Sequence, residues 1–172
     1  MSDLMETVVD VEEDAALNED TMANKFLVFF LDGQEYAIAI KYVVDIINVQ
    51  PMTRMPNVPD FVRGITNLRG KVIPIIDVRI RFGKEPQDYN DRTCIIVVEV
   101  GDASVGMVID QVSEVITLDD DEIAPPPSFN QSSESRFVQG IGKTEGGIKL
   151  ILDCKMVLDD NFLVPDEINE DA

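Results

Sequence analysis

The sequence predicts an all-β fold in which one barrel-like unit is used twice. The first observation is internal alignment: residues 25–47 lie over 94–116 at an offset of 69, and residues 61–78 over 137–154 at an offset of 76. The second is that each copy breaks into short apolar runs separated by glycine-bearing turns, the pattern of strands and hairpins. The third is size. A barrel of about 60 residues buries only around 60 % of its unfolded-chain surface and is marginal alone, so two such units are expected to pack on each other.

In the first aligned block the identities are few: Val28/Val97, Ile40/Ile109, Val43/Val112 and Ile47/Ile116. The apolar pattern nevertheless agrees nearly throughout, and Asp45 falls on Glu114. The second block has seven identities in eighteen positions: Phe61/Phe137, Val62/Val138, Gly64/Gly140, Ile65/Ile141, Gly70/Gly146, Ile75/Ile151 and Asp77/Asp153. That density makes duplication the better reading. The offset grows by seven in the connection between the blocks, which carries Pro51, Pro56 and Pro59 in one copy and Pro125, Pro126 and Pro127 in the other. Insertions belong in loops, where backbone need not be rematched.

Along the first copy, residues 25–31 are an apolar run that reads as a buried strand, and Asp32-Gly33 supplies its hairpin turn. Residues 36–40 are the return strand, with small Ala37 and Ala39 alternating with larger side chains. Val43, Ile46 and Ile47 recur at three to four residues, which predicts a single helical turn before the chain extends again. Residues 65–68 and 72–78 flank Arg69-Gly70 as a second hairpin. Pro74 lacks an N–H, which puts its strand at an edge or a bulge. The second copy repeats this over 95–100, 105–109, 112–116, 140–141 and 148–152, and residues 155–164 are the one segment that predicts a helix of any length. Four or five short strands per copy argue for a small barrel, since closure removes exposed edges. The expected division is a disordered acidic tail 1–22, a first barrel 23–90, a second barrel 91–158, and 159–172 as the end of the helix and a second acidic tail. The seam between the barrels is a natural groove for a partner.

Charge narrows the partners. Of 33 acids and 14 bases, giving a net −19, eight acids fall in 1–22 and six in 159–172, with no base in either segment. The middle holds 19 acids against all 14 bases, a net of only −5. Such tails read as solubilising, with a binding tail as the alternative. A phosphate backbone or an anionic membrane surface would be repelled, so neither nucleic acid nor lipid is expected as partner. The longest apolar run, 26–31, is far short of the roughly 20 residues that span a bilayer, and the acidic N-terminus is unlike a secretory signal. Cys94 and Cys154 sit in apolar, β-branched surroundings and read as buried, inert thiols in a reducing compartment.

Catalytic machinery is hard to assemble from these residues. Without histidine there is no Ser-His-Asp or Cys-His nucleophile system and no imidazole-ligated metal. Gly142-Lys143-Thr144 resembles the end of a phosphate-binding loop, but position 137 is Phe where that loop needs Gly, and a strand follows where it needs a helix. The run Asp119-Asp120-Asp121-Glu122 lacks the spaced oxygens and central Gly of a calcium loop. Asp77 and Asp153 are equivalent strand-end residues best explained by a turn or cap.

One set of strings does point to a family. Tyr36-Ala-Ile-Ala-Ile40, Val43-Val-Asp-Ile-Ile47, Met55-Pro-x-x-Pro59, Val62-x-Gly-Ile-Thr-Asn-Leu-Arg-Gly70 and Val72-Ile-Pro-Ile-Ile-Asp-Val-Arg79 resemble the chemotaxis coupling proteins, the adaptors called CheW. In the second half Val105-Gly-Met-Val-Ile-Asp110, Val112-Ser-Glu-Val115, the Pro125 region and Gly140-Ile-Gly-Lys143 leading to Leu150-Ile-Leu-Asp153 agree, so that the resemblance covers residues 24–160. It implies two intertwined SH3-like five-stranded β-barrels with a short C-terminal helix. It also implies a non-enzymatic adaptor, without cofactor or metal, that links the cytoplasmic tips of methyl-accepting chemoreceptors to the regulatory domain of the histidine kinase CheA. Such a chain is expected to be cytoplasmic, recruited to membrane-associated receptor arrays, and monomeric when free. The kinase's own regulatory domain shares this fold; a starting Met, two acidic tails and no kinase motif favour a free-standing adaptor.

Carried over residue by residue, the resemblance puts Val43 and Asp45, with Gly64 close by, on or near the kinase-facing surface. It puts Arg69, Val112 and Val115 at or near the inter-barrel groove that takes the receptor's helical hairpin. Val43, Val112 and Val115 read equally as ordinary core, and Gly64 as backbone geometry. Arg69 is the strongest functional candidate, because a guanidinium at a hairpin tip has no core role and can make directed bonds to a partner. Asp45 stands where the family often has Glu, keeping charge with shorter reach. Arg69 falls on Glu145, so the two units are expected not to be interchangeable. The competing class is a small-ligand-binding or regulatory double barrel outside chemotaxis, which would show a ligand-dependent rise in melting temperature.

Overall fold

The structure, a computed structural model, describes residues 24–126 and 135–158. Its strands are β1 (Lys25–Leu31), β2 (Gln34–Ala39), β3 (Val43–Asn48), β4 (Val62–Leu68), β5 (Lys71–Asp77), β6 (Cys94–Val100), β7 (Ala103–Ile109), β8 (Gln111–Thr117), β9 (Ile123–Ala124), β10 (Val138–Thr144) and β11 (Gly147–Leu152). Two short helices, α1 (Val78–Arg81) and α2 (Cys154–Leu158), come after β5 and β11. The all-β class and the paired SH3-like barrels with a short C-terminal helix are what the chain forms. Both acidic tails and the remainder of the helix expected over 155–164 lie outside the described residues.

One sheet runs β8-β1-β2-β11-β10-β9 and the other β3-β6-β7-β5-β4. Under the internal alignment these are the same order. The β2–β11 and β5–β7 pairs are parallel and correspond to each other, and the two-residue β9 corresponds to a single bridge from Thr53 to Ile65. Each sheet therefore takes its first hairpin from the other half of the chain: β1 and β2 join the second half, β6 and β7 the first. The division at 90/91 separates the two copies in sequence but not the two sheets.

Burial explains the exchange. On β1 and β2, Phe26, Val28 and Ala37 face the interior of the six-stranded barrel with Leu118 and Ile151. Leu27, Phe29, Leu31, Tyr36 and Ile38 face the seam, where they meet Ile96, Val98, Met107 and Ile109 of β6 and β7. Ile95 and Val97 point the other way, into the second barrel, with Ile73, Ile75 and Val108. Strands buried on both faces need apolar residues throughout, which is why these runs lack a polar alternation. The expected groove at the seam is thus a packed core, crossed by the ring series Phe29, Tyr36, Phe82 and Phe137, with successive centroids 6.0, 5.6 and 5.0 Å apart.

Two local expectations change. The 43–47 segment is strand, not a helical turn; the turn is a 3₁₀ piece just before it, Ile40–Tyr42. The misleading spacing of three comes from a bulge at Val44, which lets Val43 pair with Val98 and Asp45 with Val97. Val43 and Ile46 consequently face the same seam. A matching irregularity in β8 sets Val112 against Phe29 and Glu114 against Val28. Pro74 lies in a strand paired on both sides, but pairing with β7 starts one residue later, at Ile75. Its missing N–H falls where the ladder on that side has not begun. The duplicated aspartates are caps: Asp77 Oδ1 accepts from the backbone of Arg79 and Ile80, and Asp153 Oδ1 from that of Lys155 and Met156.

Candidate partner-binding surface

The turns Asp32-Gly33 and Arg69-Gly70 each join directly paired strand ends, and both residues of each turn have positive φ. This is the two-residue mirror-image turn that suits the twist of a hairpin, and Asp-Gly or Asn-Gly is its usual filling. At the first turn Asp32 is such a residue. At the second, Arg69 sits at φ 54°, a conformation in which a long side chain gains nothing and costs roughly 1–2 kcal/mol. Asn67 Oδ1 steadies the turn by accepting from Gly70 N at 2.9 Å.

Arg69 extends from this turn to β3. Its Nη2 lies 2.7 Å from Asp45 Oδ2, with the arginine side chain 72 % exposed and the aspartate 6 %. Asp45 Oδ1 accepts from Ile46 N at 2.8 Å, while buried Oδ2 has no aligned hydrogen bond and faces the guanidinium as an ion-pair partner. The bulge at Val44 leaves that valine exposed next to Asp45, and Val72, two residues beyond the turn, is exposed too. A cation, its buried counter-ion and flanking apolar side chains can grip a protein surface. They contain no nucleophile with a base beside it.

The remaining sequence-predicted residues are placed differently. Val43 and Val112 are buried at equivalent seam positions, and Val115 packs half-buried against the same core. Gly64 has φ 154°, and a Cβ there would lie 2.6 Å from the Thr53 carbonyl oxygen, so backbone geometry accounts for it. Asp45 and Arg69, which the resemblance divides between two surfaces, are in contact. Their counterparts in the other barrel are Glu114 and Glu145, two acids that cannot form this pair.

Polar clusters between distant segments had no sequence signal beyond isolated charges. Arg79 of α1 pairs with Asp32 Oδ1 at 3.2 Å and with Asp110 Oδ2, while Lys84 reaches Asp32 Oδ2 at 3.5 Å. Burial works against the Arg79 charge, but the two aspartates outweigh it and hold the pKa above its ordinary value. Arg79 and Asp110, with Tyr89 donating to Asp77 Oδ2 at 2.9 Å, line a cleft of about 300 Å³. Arg81 lies between Phe61 and Phe137, 4.6 and 4.8 Å from their centroids. It donates from Nε to the Val157 carbonyl at 3.0 Å and from Nη2 to that of Met156 at 3.4 Å. Phe61 and Phe137 are equivalent residues, so one guanidinium joins both copies at their junction. Lys149 is buried with Nζ 2.8 Å from Glu35 Oε1.

Asp119, Asp121 and Glu122 bring carboxylate oxygens within 4.8 Å of one another. Glu122 is bound back to Asp119 through both its backbone N–H and its side chain, at 2.9 Å each, so the group closes a 3₁₀ turn. Both thiols are buried, and burial pushes Cys154 up to about 12. Among the described residues no helix is long and apolar enough to cross a membrane.

Comparison with known proteins agrees with this architecture. A family model described as the CheW-like domain matches residues 25–162. The chain is 36 % identical over 139 residues to a chemotaxis protein CheW from Klebsiella aerogenes, covering 81 % of this chain and 84 % of that one. It is 30 % identical over 162 residues to chemotaxis protein CheW of Helicobacter pylori, covering 94 % and 98 %. The crystal structure of the scaffolding protein TtCheW from Thermoanaerobacter tengcongensis superposes with a TM-score of 0.75 at 35 % identity, over 81 % of this chain and 95 % of that one.

Proposed function

The chain belongs to the CheW-like family, and from that premise we propose that it is a non-enzymatic scaffold of chemotaxis signalling, coupling chemoreceptor tips to the regulatory domain of the kinase CheA in cytoplasmic arrays. The observation that carries the reading is Arg69. An exposed arginine held at positive φ, where glycine or asparagine would be strain-free, and oriented by a buried aspartate is a group kept for something outside the fold. Asp45 and Arg69 act as one recognition unit, with Asp45 aiming the guanidinium and Val44 and Val72 adding apolar contact. Val43, Gly64, Val112 and Val115 contribute through the shape of the barrels that present it.

Co-sedimentation of the purified chain with a receptor cytoplasmic fragment and the kinase tests the coupling: a ternary complex is expected. Arg69→Gly relieves the turn but leaves the buried Asp45 carboxylate without its counter-ion, so a lowered melting temperature with a retained circular dichroism spectrum is expected alongside weakened partner binding, and Arg69→Glu should weaken binding further. Unchanged affinity in both variants refutes the role of Arg69; absence of any ternary complex with the wild-type chain refutes the coupling.

A further inference from the structure

The cleft of about 300 Å³ lies where the two barrels meet. Phe30 of β1 and Gln111 of β8 line it from the six-stranded sheet, Asp77 of β5 and Val108 of β7 from the five-stranded one. Asp110, the single residue between β7 and β8, takes the chain from one sheet to the other and also lines it. Its remaining wall is the connection 87–93, and that wall is held in advance. Tyr89 is fixed on Asp77, Asn90 N donates to Thr93 Oγ1 at 2.9 Å, and Arg92 N donates to Asn90 Oδ1 at 2.8 Å. A wall already ordered by hydrogen bonds loses little entropy when something binds against it. Small-molecule sites favour such junctions between packed units, and this cleft has the volume of a small one.

The polar groups that line it carry both signs and are left over by the fold. Arg79, 9 % exposed, gives one N–H to Asp32 and one to Asp110. A guanidinium has five N–H groups, and the others meet no acceptor among the described residues. Asp110 uses Oδ2 alone, which accepts from Asp32 N at 2.8 Å and from Arg79, so Oδ1 is uncommitted. The Asp88 carboxylate and the Arg92 guanidinium have no ion pair or hydrogen bond among the described residues. Phe30 and buried Val108 add apolar surface.

Charge decides what fits. The lining holds Arg79 and Arg92 against Asp77, Asp88 and Asp110, in a chain of net charge −19, so a simple anion is repelled. A simple cation answers Asp88 but leaves Arg92 and the spare N–H groups of Arg79 without a partner. A molecule carrying both an ammonium and a carboxylate meets both sets through charge-assisted hydrogen bonds. We propose that this cleft binds a free α-amino acid with an apolar side chain. Its carboxylate faces Arg92 and Arg79, its ammonium faces Asp88 and Asp110 Oδ1, and its side chain covers Phe30 and Val108. The site shares no residue with the Asp45–Arg69 surface, so it adds a ligand to the scaffold without using the groups that read a partner.

Titration of the ¹⁵N-labelled full chain with L-leucine tests this. Saturable shifts are expected in the amide signals of residues 87–93 and 108–111, with a dissociation constant of about 1 mM and a ligand-dependent rise in melting temperature. 3-Methylbutylamine lacks only the carboxylate of leucine and 4-methylpentanoate only the ammonium, and each should bind at least about tenfold more weakly. Arg92→Gln and Asp88→Asn, both on the exposed connection, should each weaken L-leucine binding by about tenfold while signals from the seam core stay in place. Absence of saturable shifts up to about 20 mM, shifts confined to other residues, binding of either analogue equal to that of leucine, or affinity unmoved by both variants overturns the proposal.

Discussion

Lys149 is 3 % exposed inside the six-stranded barrel, and the other barrel shows what the fold needs there. Under the internal alignment Lys149 corresponds to Ile73 and Glu35 to Ser104; Ile73 is plain core. Removing Glu35 alone strands an ammonium in a barrel interior. Breaking a buried pair costs about 3–5 kcal/mol, and because the Glu35 side chain is itself 25 % exposed, so that water reaches the pair from one side, the low end of about 3 kcal/mol is expected for Glu35→Ala. Lys149→Ile removes the charge that is costly to bury and leaves a carboxylate that can turn to solvent, so its cost is nearer about 1 kcal/mol. The double variant Glu35→Ser/Lys149→Ile copies the twin barrel and should come within about 1 kcal/mol of the wild type or exceed it, since apolar replacements of buried pairs are often neutral or stabilising. Urea unfolding followed by circular dichroism measures all three as midpoint shifts at constant slope. The reasoning fails if Glu35→Ala costs no more than Lys149→Ile, or if the double variant is less stable than Glu35→Ala.

Arg81→Ala loses two carbonyl hydrogen bonds and two ring contacts and should destabilise by about 2–4 kcal/mol, lowering the melting temperature by roughly 5–15 °C in calorimetry. Gly64→Ala must push Thr53 away from a 2.6 Å approach, whereas Gly33→Ala meets open space and bears only the turn strain. Unfolding midpoints should rank Gly64→Ala as the more damaging by at least about 1 kcal/mol. Burial holds the Cys154 thiol protonated to about pH 12, while in the unfolded chain it ionises near its ordinary value of about 8.5. Unfolding then releases a proton between those values, so stability is intact below the lower and falls as pH rises, by up to about 1.4 kcal/mol per pH unit. Cys154→Ala should flatten the alkaline limb of a stability–pH curve; an unchanged slope would exclude this thiol as its source.

The duplication was legible because seven identities in the second block survive where geometry is strict. Asp77 and Asp153 cap the short helices, and Gly64 and Gly140 back onto the bridging segments at 53 and 123–124. The hairpin exchange was not legible. A strand buried on both faces reads the same whichever barrel it fills, so residues 25–31 announce their burial but not their neighbours. The bulge at Val44 turned a strand spacing into an apparent helical one. The ion pair of Arg69 with Asp45 and the bridge from Arg79 to Asp32 and Asp110 join residues 24 to 47 positions apart. Only the closed sheets bring them together.

Exchanged hairpins also bear on how the surface can work. Because β1 and β2 fill one barrel while the next strands along the chain build the other, neither barrel can shift without dragging strands of its twin and disturbing the seam core. The pair is mechanically one body. Differences between its two ends must then come from side chains displayed on equivalent backbone, not from independent motion. Asp45 with Arg69 against Glu114 with Glu145 is the clearest such difference: one end offers a braced cation, the other two acids. A partner that reads Arg69 meets repulsion at the equivalent place on the other barrel, so a twofold-repeated fold can still dock in a single orientation.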